Sequence, residues 1–234
     1  MGTKNTTFTN LPAHRKRSLT AGILYLLTFV SIPTLVLYNP VKSASYIAGS
    51  GPNTSAIVGG ILEVIVALAG IGTAVVLFPM LKKQNESAAL GLVAARILES
   101  STIFVGVAFL LSIVSLRQAG AGAESLVTGH ALAALYDRIF LLGQSFMPAI
   151  CDLLLGFMLY QSRLVPRALS RIGLVGGPIL LVGYFAVLSG LVEQHSSLAG
   201  LSAFPVAIFE FSLGLWLTIK GFNPQAVAAL EKKS

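Results

Sequence analysis

Charge is scarce in this chain. Of 234 residues only 11% are Asp, Glu, Lys or Arg, whereas 55% are hydrophobic. Soluble domains carry about a quarter charged residues, so composition excludes a soluble globular fold. Cysteine is scarcer still: the single thiol, Cys151, cannot form an intramolecular disulfide and lies in an apolar run, where it reads as a small buried hydrophobe. The three histidines, His14, His130 and His195, lack the i,i+4 spacing of a helical zinc pair. Neither a nucleophile elbow, a phosphate-binding glycine loop nor a dinucleotide fingerprint is present, so no cofactor and no metal are expected.

Long apolar sequence fills the chain instead. Six runs, at about 20–38, 54–78, 90–116, 131–160, 172–191 and 201–219, are of the length that crosses a hydrocarbon core of about 30 Å. With short loops they use the whole length, so an all-α, single integral membrane domain of six transmembrane helices is expected. The first run exceeds a typical signal core, although Ser43-Ala44-Ser45 has the small residues of a cleavage site. Pro33 is expected to kink the first run, Pro148 to break the hydrogen-bond ladder of the fourth, and Pro79 with Lys82 and Lys83 to close the second. Asn39 to Asn53 reads as an irregular loop, and Ala226 to Lys233 as a short amphipathic tail. Gly59, Gly60, Ala67, Gly70 and Ala74 in the second run, and Gly173, Gly176, Gly177, Gly183 and Gly190 in the fifth, let neighbouring backbones approach closely.

The sparse cations are sorted by loop. Lys4, Arg15, Lys16, Arg17, Lys82, Lys83, Arg163, Arg167, Arg171, Lys220, Lys232 and Lys233 fall on one side of a six-span topology, and only Lys42 and Arg117 on the other. Twelve against two is the positive-inside pattern, so both termini are expected in the cytoplasm and the chain in the plasma membrane. Short basic clusters beside apolar spans belong with lipid headgroups, so nucleic acid is not an expected partner and the lipid bilayer is.

The charges within the spans carry the functional question. An ionisable side chain near the bilayer centre costs roughly 2.5–3.5 kcal/mol on insertion scales, so each needs a partner or a purpose. Arg96 and Glu99, three residues apart in the third run, share a helix face and can pair. At about 1.5 Å per residue, Glu99 and Glu210 fall near mid-membrane, Arg96 and Asp152 nearer the cytoplasm, and Glu63, Asp137 and Arg138 in the outer half. Asp137, Gln144 and Asp152 follow at helical spacing and read as one polar stripe. One reading is a polar cavity between the third, fourth and sixth spans, in which Arg96 is fixed and Glu99, Asp152 or Glu210 binds a proton or solute. The other is structural pairing. The candidate binding residues are Arg96, Glu99, Asp152, Glu210, Asp137 and Glu63.

Two halves of three spans each would form an inverted repeat, with Pro33 matching Pro148 and Glu99 matching Glu210, an arrangement that favours a transporter. Three segments carry a resemblance: Arg96-Ile97-Leu98-Glu99-Ser100, the stretch from Tyr160 to Gly173 with Arg163, Pro166, Arg167 and Arg171, and the stretch from Glu210 to Phe222 with Trp216 and Lys220. On these the chain resembles, over nearly all its length, the family of prokaryotic membrane proteins called domain of unknown function 4386. The resemblance implies a six-helix integral membrane fold and brings no activity to these positions. The expected function is a small-solute or proton-linked transporter using intramembrane carboxylates. The alternatives are an intramembrane enzyme using His130, Glu193, His195 and Asp137 on the outer face, and a non-catalytic component that binds lipid or a partner through the glycine-rich faces.

Overall fold

The computed structural model describes residues 11–43, 46–49, 51–120, 122 and 125–232, and all regular structure among them is helical. Six helices are long and apolar enough to cross a membrane: α1 (Ala13–Leu37), α2 (Thr54–Leu81), α3 (Glu86–Gln118), α4 (Ser125–Ser162), α5 (Arg167–Leu188) and α6 (Ser197–Ile219). A short α7 (Pro224–Glu231) follows. Lys4, Lys233 and the Ala44-Ser45 part of the cleavage pattern lie outside the described residues.

Most helices run past the apolar runs that announce them. Asn85 caps α3 by accepting from the Ala88 amide at 3.0 Å, which starts that helix on polar residues ahead of Leu90. Likewise α4 begins at Ser125 rather than near residue 131, and the loop before it shrinks accordingly. Pro79 does not close α2. Its ring removes one donor, but the following turn still forms, with the Lys82 amide on the Phe78 carbonyl at 2.9 Å. The stretch read as irregular after Tyr38 contains one helical turn, Asn39–Lys42.

Two helices are broken where proline demands it. In α1 the Phe29 carbonyl, which an amide at position 33 would have taken, accepts instead from Ile32 at 3.2 Å, and Phe29–Ser31 tightens into a 3-10 turn before Pro33. In α4 the backbone widens into a π turn over Leu141–Phe146, just before Pro148. Each break sits next to a proline that cannot serve the α-helical ladder.

Each helix packs on its sequence neighbours, and α6 closes on α1 to complete a ring of six. Two apolar clusters fill the ends of the ring. One joins Tyr25, Leu77, Leu92, Leu155 and Leu213 and is closed by Leu164, Val165, Phe222 and Leu230 from the α4–α5 loop, the corner after α6 and α7. The other joins Tyr38, Val41, Leu110, Ile113 and Tyr136. Outside, Leu35, Leu68, Leu98, Val182 and Leu198 are exposed as a lipid-facing surface requires.

Cross-contacts sort the loops into two ends. Gln84 donates to Gln161 at 2.9 Å, and Arg15 reaches the carbonyls of Leu217 at 2.8 Å and Thr218 at 2.7 Å, so the basic clusters share one end. Lys42 with Asp137, and Arg117 with the Gly49 carbonyl, mark the other. Arg15 supplies charge-assisted bonds to the last turn of α6, where the helix dipole favours a cation. Arg15→Ala is expected to cost about 2 kcal/mol, measured as lost unfolding free energy in detergent micelles; an unchanged value would show the cap to be dispensable.

Candidate functional site

Between the two apolar ends, α3 turns charged. Arg96 is 3% exposed, and its Nη1 donates to Glu99 Oε2 at 3.0 Å and Oε1 at 3.3 Å, the i,i+3 pair that the spacing allows. Its Nη2 pairs with Glu210 Oε1, from α6 across the ring. One guanidinium thus holds carboxylates of two helices, one on each terminal nitrogen. From α4, Cys151 Sγ donates to Glu99 Oε2 at 3.6 Å, and from α1 the Tyr25 ring lies 5.7 Å beneath the guanidinium carbon.

Asp152 stands beside this group without a hydrogen bond. It is 0% exposed, it interacts electrostatically with Glu210, Arg96 and Glu99, and neither carboxyl oxygen has a hydrogen-bond donor among the described residues. Arg96, Asp152 and Glu210 each lie about ten residues, or about 15 Å, from the basic end of their helices, which puts the group near the middle of a 30 Å core.

The six candidate residues do not form one cluster. Glu63, 1% exposed, is the centre of a second group: Tyr38 donates to its Oε2 at 3.1 Å, and Tyr136 and Gln144 to its Oε1 at 3.0 and 3.3 Å. All three donors are neutral. Asp137 belongs to neither group; it accepts from Lys42 at 2.5 Å and lies 3.8 Å from His195 Nε2, near the end of the ring. The stripe of Asp137, Gln144 and Asp152 is therefore divided among three sets of partners. The π turn contributes to this, because its extra residue rotates everything after it by about 100°.

Two cavities meet at Gln144. One of about 220 Å³ reaches Arg96, Glu99, Ser100 and Glu210, and is also walled by Thr28, Phe29 and Ser31 of the broken part of α1, so it draws on more helices than the expected three. The other, of about 770 Å³, opens towards the Lys42 end and is lined by Tyr38, Lys42, Tyr136, Tyr184, His195 and Ser202. Gln144, Leu180 and Ala203 line both. Both broken stretches, Phe29–Ser31 and Leu141–Phe146, thus border the charged cavity.

The family described as Domain of unknown function (DUF4386) matches residues 20–221. The chain belongs to this family. Every side chain of the two polar groups falls within the DUF4386 match, whereas Arg15 and α7 lie outside it. No curated protein and no solved structure matches the chain.

His195 meets Asp137, His130 is exposed, and among the described residues no three His, Cys, Asp or Glu are grouped to hold a metal ion. The glycine faces are filled by the chain itself: Gly59 packs on Tyr38, Gly60 on Val107, Gly173 on Phe209, and Gly176 on Pro205 and Val206. Gly190 instead sits at the end of α5 with φ 76°, a backbone conformation that favours glycine. Sequence reasoning missed Tyr25, Tyr38 and Tyr136; tyrosine inside an apolar run reads as an interface residue, and only the fold brings these three to carboxylates and guanidinium.

Proposed function

We propose that this protein is a proton-linked transporter of a small solute, held in the plasma membrane with both termini in the cytoplasm. The observation that carries this is the charge count around Arg96: one guanidinium pairs with Glu99 and Glu210, and a third carboxyl, Asp152, is buried beside them with no hydrogen-bond donor among the described residues. One carboxylate is balanced by Arg96. The group therefore holds more carboxyls than cations, an excess that a bound proton or cation would offset.

Its surroundings agree with that role. Broken helices around a polar cavity are how secondary transporters line their sites, and here the breaks at Phe29–Ser31 and Leu141–Phe146 do so. They flank Pro33 and Pro148, the pair that an inverted repeat would relate, and Glu99 and Glu210, the second such pair, meet on Arg96. The wider cavity at the Lys42 end supplies an approach, and Gln144, fixed to Glu63, stands between approach and charged group. The twelve-to-two distribution of loop cations supports the orientation.

The test is proton movement in proteoliposomes loaded with a pH-sensitive dye, under an imposed proton gradient, against a panel of small neutral, anionic and cationic solutes. At least one solute is expected to dissipate the gradient through the wild type, and Glu99→Gln or Glu210→Gln to slow it at least tenfold. Uptake that proceeds unchanged in both variants would remove the reading.

A further inference from the structure

We propose that the cavity between the α4–α5 loop and the corner after α6 binds the phosphate of one anionic phospholipid headgroup. The cavity measures about 550 Å³ and is lined by Arg163, Arg167, Lys220 and Trp216, with no acidic side chain in its wall. The site is independent of the transport reading.

Three cations line this cavity with their donors unspent. Among the described residues none of Arg163, Arg167 and Lys220 makes a side-chain hydrogen bond or an ion pair, and only Arg167 has a ring contact, over Tyr160 at 4.9 Å. Arg163 and Arg167 stand on one wall and Lys220 on the other, all three exposed, and a phosphate between the walls matches guanidinium forks.

The backbone is arranged to present them. Arg163 has φ 57° and is the one non-glycine residue in the left-handed region among the described residues, a conformation that costs about 1 kcal/mol or more. It is held there from both sides: its amide donates to the Leu159 carbonyl at 3.1 Å, and the next residue, Leu164, is fully buried and accepts from the Asn223 amide at 2.9 Å. That last bond ties the Arg163 loop to the corner carrying Lys220, so the two walls keep a fixed spacing.

The lipid, rather than free phosphate, follows from what adjoins the cavity. Trp216 is half-buried in the wall, and Leu215 and Ile219 beside it are 39% and 66% exposed, an apolar strip along which acyl chains can lie. The cavity also lies at the end of the ring where the basic clusters gather, the side that the twelve-to-two distribution of loop cations assigns to the anionic leaflet. Two of the three stretches that carry the family resemblance, from Tyr160 and from Glu210, meet at this one place.

Native mass spectrometry of the purified protein in detergent micelles tests this with two probes, dioleoylphosphatidylglycerol and dioleoylphosphatidylcholine, and with millimolar inorganic phosphate as a third arm. The wild type is expected to retain one phosphatidylglycerol at least tenfold more than phosphatidylcholine. The triple variant Arg163→Gln, Arg167→Gln, Lys220→Gln should lose that preference, while Lys82→Gln, Lys83→Gln, Arg171→Gln, which removes equal charge from the same end, should keep it. Equal retention of both lipids by the wild type overturns the proposal without any variant. Equal loss in the two triple variants overturns it in favour of diffuse attraction, and displacement of the lipid by millimolar phosphate reassigns the cavity to the free ion.

Discussion

Replacing Glu99 and Glu210 together by glutamine is expected to lower the unfolding free energy by about 3–5 kcal/mol, while either single replacement costs about 1 kcal/mol. The reason is the sharing of Arg96. With one carboxylate gone, the other still neutralises the enclosed guanidinium and the new amide oxygen still accepts a bond from it. With both gone, a cation that is 3% exposed is left with Asp152 alone, and Asp152 makes no hydrogen bond to it. Reversible unfolding in mixed detergent micelles reads the difference. A single variant as damaged as the double would mean that the two pairs are not interchangeable partners of one charge. Asp152→Asn supplies the contrast: a carboxyl that receives no hydrogen bond from the protein contributes nothing to folding through one, so stability is expected to hold while proton-linked uptake falls.

How much of this was legible in the sequence depends on the range of the interaction. The six helices were, because lipid-crossing hydropathy is summed over about 20 residues and tolerates local exceptions. Their ends were not, because a helix continues into polar turns for as long as caps such as Asn85 and Ser196 satisfy its first amides. The Arg96–Glu99 pair was legible from a spacing of three on one helix. Its third member, Glu210, lies 114 residues away, and only the closing of α6 on α1 brings it across the ring. The proline breaks were foreseen at Pro33 and Pro148, but not that the second would take the form of a π turn. That form helps send Gln144 to Glu63 and Asp152 to the Arg96 group, dividing what simple periodicity reads as one stripe. The tyrosines around Glu63 come from 25 and 73 residues away, and no local pattern marks them.

Gly22→Ala is expected to cost about 3 kcal/mol, although it adds one methyl group and replaces a poor helix former by the best. Gly22 of α1 crosses α6 at backbone contact: a Cβ placed there would lie 2.6 Å from the Thr218 amide nitrogen and 2.7 Å from the Gly214 carbonyl oxygen. Neither atom belongs to a side chain that could rotate away, so the two helices must part by about 1 Å to restore van der Waals separation. Parting them also loosens the bonds from Arg15 to the Leu217 and Thr218 carbonyls one turn further along, and with them the seam that closes the ring. Gly70→Ala is the matched comparison. There a Cβ would meet only Ser100 Oγ at 3.6 Å, an ordinary contact, so the helix-propensity gain of up to about 1 kcal/mol should show as unchanged or raised stability. Equal melting temperatures for the two variants would mean that α1 and α6 are not in backbone contact, and that the ring is closed by something other than this seam.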